Sequence, residues 1–118
     1  MNKETLVRSG IDYDSGLYRF GGNPQIYEKY ILKFFAQDEM SVLRQALESG
    51  DLDASFRTAH NIKGSAGNLS ITALYHKICE LVDALRAGIQ DDSLMKMYAE
   101  AEVLYQAARK AIEENRNG

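Results

Sequence analysis

The chain has 118 residues, of which 45 % are hydrophobic and 26 % charged, with a formal net charge of −3. That suffices for one domain around a single core, and it excludes the basic footprint of a nucleic-acid binder. No apolar run can span a bilayer, no Lys/Arg cluster marks a membrane surface, and the N-terminus lacks the apolar core of a signal peptide.

A lone cysteine, Cys79, forbids an internal disulfide and points to a reducing compartment. A cytoplasmic monomer is the expectation.

In chain order, residues 11–20 read as one or two helical turns capped by Asp12. Asn23 is a good N-cap and Pro24, the only proline, suits a first helical position, so a long helix starts there. Its apolar residues Tyr27, Tyr30, Ile31, Phe34, Phe35, Met40, Leu43, Ala46 and Leu47 keep helical spacing to about Glu48, with a kink allowed at Gln37-Asp38. Ser49-Gly50 ends it, and Asp51 caps a helix with the stripe Leu52, Ala59, Ile62, Ala66 and Leu69. The next runs from about Ser70 through Ile71, Leu74, Ile78, Leu81, Val82 and Leu85 to Gly88. Asp91-Asp92-Ser93 caps the last, bearing Leu94, Met97, Ala101, Leu104, Ala108 and Ile112, which frays into the polar tail 113–118.

No stretch alternates with period two, so no sheet is expected. Four long helices with short connections predict an all-α fold. Its form is an antiparallel up-and-down four-helix bundle with a short extra N-terminal helix. Residues 1–118 form one domain, the bundle core lying at about 24–113.

Among nine glycines, seven fall at chain ends or where the apolar pattern breaks: Gly10, Gly16, Gly21, Gly22, Gly50, Gly88 and Gly118. Gly64 and Gly67 instead interrupt a good helical pattern, each at a cost of roughly 1 kcal/mol against alanine. Such a loss beside a histidine and a lysine implies a need for bare space. At roughly 100° per residue, His60 lies roughly 125° from the centre of the apolar stripe, on the solvent side. Asp53, Phe56, Arg57, Lys63, Gly64 and Gly67 share that surface.

An imidazole there can act as a nucleophile near neutral pH, and Lys63 can neutralise an anion carried on the ring. Gly64 and Gly67 open an approach for another molecule, with Phe56 and Arg57 beside it. Singly, each feature is ordinary: an exposed histidine is usually a solvated residue, and helix glycines are often packing notches. Their combination on one face carries the weight. His76 faces solvent, and with no His pair at i,i+4 and no Cys cluster, no metal site is expected. Cys79 reads as a small residue at the core edge, Tyr27 and Tyr30 as packing, and Asp91-Asp92 as a capping pair.

The segment Ala59-His60-Asn61-Ile62-Lys63-Gly64-Ser65-Ala66-Gly67-Asn68 resembles the A-H-x-[LI]-K-G-x-A/S-x-N signature of histidine-containing phosphotransfer (HPt) domains of multistep two-component phosphorelays. Gly16-Leu17-Tyr18-Arg19-Phe20-Gly21-Gly22-Asn23 is similar to the family's approach to its first long helix, and Leu74, Ile78, Cys79 and Leu81 to the helix after the histidine. Ser70 departs from the pattern, since many members have glycine there; this touches only the helix junction.

The resemblance implies that His60 accepts a phosphoryl group from a receiver-domain aspartyl phosphate and passes it to the aspartate of another response regulator. It implies receiver domains and a hybrid sensor histidine kinase as partners, no kinase activity and no cofactor of its own, Mg²⁺ coming with the receiver. No Gly-rich loop followed by Lys-Ser/Thr is present. The other reading is a non-catalytic helical adaptor, including a degenerate HPt-like domain. Met1 favours a freestanding protein over a piece of a hybrid kinase.

Overall fold

The structure, a computed structural model, describes residues 2–116. Among these there are seven helices and no strand: α1 (Lys3–Arg8), α2 (Tyr13–Arg19), α3 (Pro24–Gln37), α4 (Glu39–Ser49), α5 (Leu52–Asn68), α6 (Thr72–Arg86) and α7 (Ser93–Arg116). Capping side chains start the helices where their chemistry places them. Asp12, Asn23 and Asp51 accept from the backbone N–H groups of Ser15, Ile26 and Ala54, each satisfying one of the orphan donors of a first turn. Asp91 accepts from the Ser93 N–H at 2.9 Å. Gly50 ends α4 at φ 75°, in the left-handed region that a glycine reaches without steric penalty.

The long second helix expected over 24–48 is two. Asp38 stands between α3 and α4 at φ 46°, and the break is stabilised from outside. Two tyrosines of α7 reach it: Tyr105 donates towards Phe35 O and Asp38 Oδ1, both at 3.3 Å, and Tyr98 donates to Met40 O at 3.0 Å. Ser41 Oγ donates to Asp38 Oδ2 at 2.7 Å. A buried carbonyl freed from a helical ladder costs about 1–3 kcal/mol unless it finds such a donor. The expected kink is therefore a full interruption, held by partners 58 and 70 residues away.

Two short helices precede α3, where one was expected. α1 buries only Leu6, too little to leave a periodic signal in six residues. The pair seals the α5–α6 junction. Tyr27 of α3 is 1 % exposed and donates to Leu69 O at 2.6 Å; Phe20 stacks on its ring with centroids 5.4 Å apart. Asp12 N donates to Ser70 O at 2.8 Å, Ala73 N to Gly10 O at 3.1 Å, and Ser70 Oγ to Ser15 Oγ at 3.0 Å. Ser70 itself adopts φ 55°, so its backbone occupies the conformation for which glycine is best suited.

Gly16 corrects the glycine reading. It sits inside α2, not at a pattern break, and a Cβ there would overlap the Tyr27 ring and hydroxyl. Tyr30, by contrast, is 45 % exposed and stacks on Phe20 rather than entering the core.

α5 packs on α4 and α6, α6 packs on α7, and α7 returns to α4, so the contacts close a ring. The buried face of α5 holds Ser55, Ala59, Ile62 and Ala66. Ser55 fills a gap in the predicted stripe by donating its hydroxyl to Asp51 O at 2.8 Å. Leu52 is only half-buried. α7 continues through Arg116 instead of fraying at Glu113; the rest of the expected tail, residues 117–118, lies outside the described residues. No described helix is long and apolar enough to cross a membrane.

Burial holds the phenols of Tyr27, Tyr98 and Tyr105 well above the ordinary tyrosine range. Below about pH 10 these groups are protonated in both states, and their contribution to stability is whole. Above it the unfolded chain ionises while the folded chain resists, so stability falls as pH rises. Denaturant melts across that range should show a plateau and then a decline, the phenolate absorbance of three of the seven tyrosines appearing only with unfolding. Level stability, with all phenols ionising in the folded chain, would contradict this.

Candidate functional site

The position of His60 follows from its neighbours in the chain. Ala59 is fully buried and Ile62 likewise, so the helical period turns His60 outwards, and the imidazole is exposed. One turn back, the half-buried Phe56 ring lies 5.8 Å from the imidazole, centroid to centroid. The guanidinium of Arg86, on α6, stands 5.5 Å from the Phe56 centroid, within cation–π range. Phe56 thus steadies one flank of the imidazole while being held from α6.

On the other flank a groove of about 480 Å³ runs between α5, the start of α6 and the end of α2. From α5 it is lined by His60, Lys63, Gly64, Ala66, Gly67 and Asn68. Ser70, Thr72, Tyr75 and His76 form the opposite wall, and Ser15 and Arg19 of α2 close the end. The lining contains two permanent cations, two imidazoles, several hydroxyls and no carboxylate. Neither Lys63 nor Arg19 has an ion-pair partner among the described residues. Such a lining favours an anion, and what it favours it also positions near His60.

The two glycines of α5 separate here. A Cβ at Gly64 would meet nothing within 4 Å, so that position is open to solvent. A Cβ at Gly67 would stand 3.1 Å from Cε1 of Tyr75, so that position receives a ring from α6. Gly64 leaves bare surface beside His60 and Lys63, whereas Gly67 is in large part a packing site.

Of the residues singled out from the sequence, His60, Lys63, Gly64 and Gly67 share the groove, and Phe56 abuts His60 outside it. Arg57 does not line the groove; it pairs with Asp53 at 3.4 Å, both side chains being largely exposed. Pairs of this kind contribute little to stability.

Sequence reasoning gave Arg19, Tyr75 and His76 no part in the site, although all three line the groove. His76 is exposed as expected, but it faces the same groove as His60. Tyr75 gave no signal because its role is to fill the space left by a glycine eight residues earlier on another helix. Its phenol is held above the ordinary range, first by its interaction with the Cys79 thiol, while the Arg19 charge pulls it the other way. Among the described residues, no group of three or more His, Cys, Asp or Glu side chains is placed to hold a metal ion.

In comparison with known families, the family model of the Hpt domain matches residues 31–114, well over half of the chain. It begins inside α3 and includes all of α4, α5 and α6; α1, α2 and Arg19 precede it. No curated protein and no solved structure gives a match.

The different surroundings of Gly64 and Gly67 have a measurable consequence. Gly64→Ala should stabilise the chain by up to about 1 kcal/mol, the full helical gain. Gly67→Ala should gain less, because the Tyr75 ring must shift to admit the methyl group. Urea melts of the two variants compare them directly, and a larger gain at Gly67 would mean that the open position has been misidentified.

Proposed function

The chain belongs to the Hpt domain family, whose members act in phosphorelays through a phosphorylated histidine, and on that premise we propose that His60 is the residue that carries the phosphoryl group. The observation that supports this most is the grouping of an exposed imidazole, a half-buried lysine and an open glycine within two turns of α5, beside a groove free of carboxylates. His76 lacks that setting on its own helix: Lys77, its neighbour, is engaged with Glu80 at 3.0 Å and Glu100 at 3.3 Å.

The chemistry is a transfer between two nucleophiles. The unprotonated ring nitrogen of His60 attacks the phosphorus of an aspartyl phosphate on a receiver domain. A nitrogen–phosphorus bond forms as the bond from phosphorus to the aspartyl oxygen breaks, the electron pair leaving on that carboxylate. The other ring nitrogen keeps its proton. Transfer onwards to the aspartate of another response regulator is the reverse sequence on a new partner.

Catalysis of this type depends on in-line positioning and on charge neutralisation. Ala59 and Ile62 anchor the α5 backbone under His60, so the ring moves mainly about its own side-chain torsions. Lys63 offers its ammonium group to the transferred phosphoryl. Gly64 lets the receiver surface come close enough for the ring to reach the acidic pocket, where the receiver's Mg²⁺ is held. Phe56 supplies apolar contact beside the ring; Arg57 and Gly67 complete the docking face around it.

We assign the chain the part of a phosphocarrier without kinase activity, working between receiver domains and a hybrid sensor histidine kinase. The ring of contacts through α4, α5, α6 and α7 is read as the family's antiparallel four-helix bundle, with α3 extending α4.

Incubation with a phosphorylated receiver and Mg²⁺ should label the chain with an acid-labile, alkali-stable group, and His60→Gln should abolish the label. ATP and Mg²⁺ alone should give none. Lys63→Ala should keep the fold and move the transfer equilibrium or rate by about tenfold, the size of one partly desolvated charge-assisted contact. Persistent labelling of His60→Gln would remove His60 from the role.

A further inference from the structure

Six arginines have described side chains. Five of them, Arg8, Arg44, Arg57, Arg86 and Arg109, each stand against a carboxylate. Arg19 is the exception: it has no carboxylate partner among the described residues, and it lines the groove that also holds His60 and Lys63. An arginine fork left unpaired beside a second unpaired cation, in a lining without Asp or Glu, is arranged for an anion that arrives from outside.

The helix carrying Arg19 is held firmly relative to α5. Gly16 lies against the Tyr27 ring, and the Tyr27 hydroxyl donates to Leu69 O at the end of α5. Ser15, one turn before Arg19, receives the Ser70 hydroxyl at 3.0 Å. Arg19 is the last residue of α2, so its guanidinium extends from a fixed base. It shares the groove lining with Tyr75, the ring that covers Gly67. Arg19 and Lys63 therefore line one groove from different helices, Arg19 at its α2 end and Lys63 from α5.

We infer that Arg19 is the second cationic contact of the phosphoryl group carried on His60, meeting it from α2 while Lys63 meets it from α5. The inference rests on the reading of His60 as the phosphoryl carrier. A phosphoryl group brings close to two negative charges near neutral pH, more than one lysine offsets. Lysine supplies a compact charge on one side, and the planar guanidinium supplies two parallel N–H donors on the other. The arrangement also gives the segment before the Hpt match a task in transfer: it delivers a charge that α5 and α6 do not themselves provide.

The test compares wild type, His60→Gln, Arg19→Gln and Arg19→Lys, each equilibrated with a phosphorylated receiver and Mg²⁺, and follows the phosphorus NMR signal of the chain against pH. Arg19→Gln should shift the equilibrium away from the phosphorylated chain by about three- to tenfold, the range for a partly exposed charged contact. It should also raise the pH at which the phosphoryl group loses its last proton, because the cation removed favours the more charged form. Arg19→Lys should recover part of both effects. In the wild type, phosphorylation should move the Arg19 Nε–H signal, a readout that depends on no variant folding.

If wild type is labelled and His60→Gln is not, but Arg19→Gln matches wild type and the Arg19 signal stays put, the Arg19 inference is overturned and the His60 reading stands. Equal loss in Arg19→Gln and Arg19→Lys with an unshifted phosphorus titration would make Arg19 a structural residue only, which also overturns it. An unlabelled wild type overturns both.

Discussion

The hydrogen bond from the buried Tyr27 hydroxyl to Leu69 O joins three parts of the chain that are otherwise far apart. Leu69 closes α5, the helix that carries His60, and its carbonyl belongs to the turn that reverses the chain into α6. Tyr27 comes from α3, and its ring needs the bare backbone of Gly16 on α2. The tight turn at Ser70, with its left-handed backbone, is covered by the same segment through Asp12 N and Ser15 Oγ. Without that cover, the carbonyl of Leu69 would lose the Tyr27 donor, at a cost of about 1–3 kcal/mol, and that of Ser70 would keep only the Thr72 hydroxyl at 3.2 Å. The groove beside His60 exists because these contacts hold its end wall in place.

A second constraint is electrostatic. Five of the six arginines with described side chains stand against a carboxylate of their own helix at i,i+3 or i,i+4. The groove gathers two cations outside that pattern, Arg19 and Lys63, on one lining without a carboxylate. Its cations have no internal partners, and the helix beside them tolerates Gly64, which packs against nothing and costs roughly 1 kcal/mol of helix propensity. Unspent positive charge and an undefended open position are both small losses of stability on one face. They agree with each other, and with the proposed need to admit a partner and hold its phosphate.

Local chemistry made most helix limits legible in the sequence. Asn23-Pro24, Asp51 and Gly50 act through side chains and dihedrals that need no distant partner, and the structure has them in those roles. The His60 motif was legible for the same reason, since its residues lie within three turns of one helix. What escaped the reading depends on contacts distant in sequence. The interruption at Asp38 depends on Tyr98 and Tyr105, and Gly16 looks like a pattern break until the Tyr27 ring is placed on it. Gly64 and Gly67 are equivalent in the sequence and differ only because Tyr75 approaches one of them. Arg19 carried no mark of its own, because its importance comes from the end of α2 being docked beside α5.

The most direct test of the account is the covalent position of the phosphoryl group. The chain, labelled on its imidazole nitrogens and phosphorylated by a receiver with Mg²⁺, can be examined by nitrogen–phosphorus correlation NMR at alkaline pH, where a phosphoramidate survives. The account predicts a single phosphorus coupled to one ring nitrogen of His60, with the His76 ring free of phosphorus. A coupling to His76, or phosphorus bound to no imidazole, would contradict it.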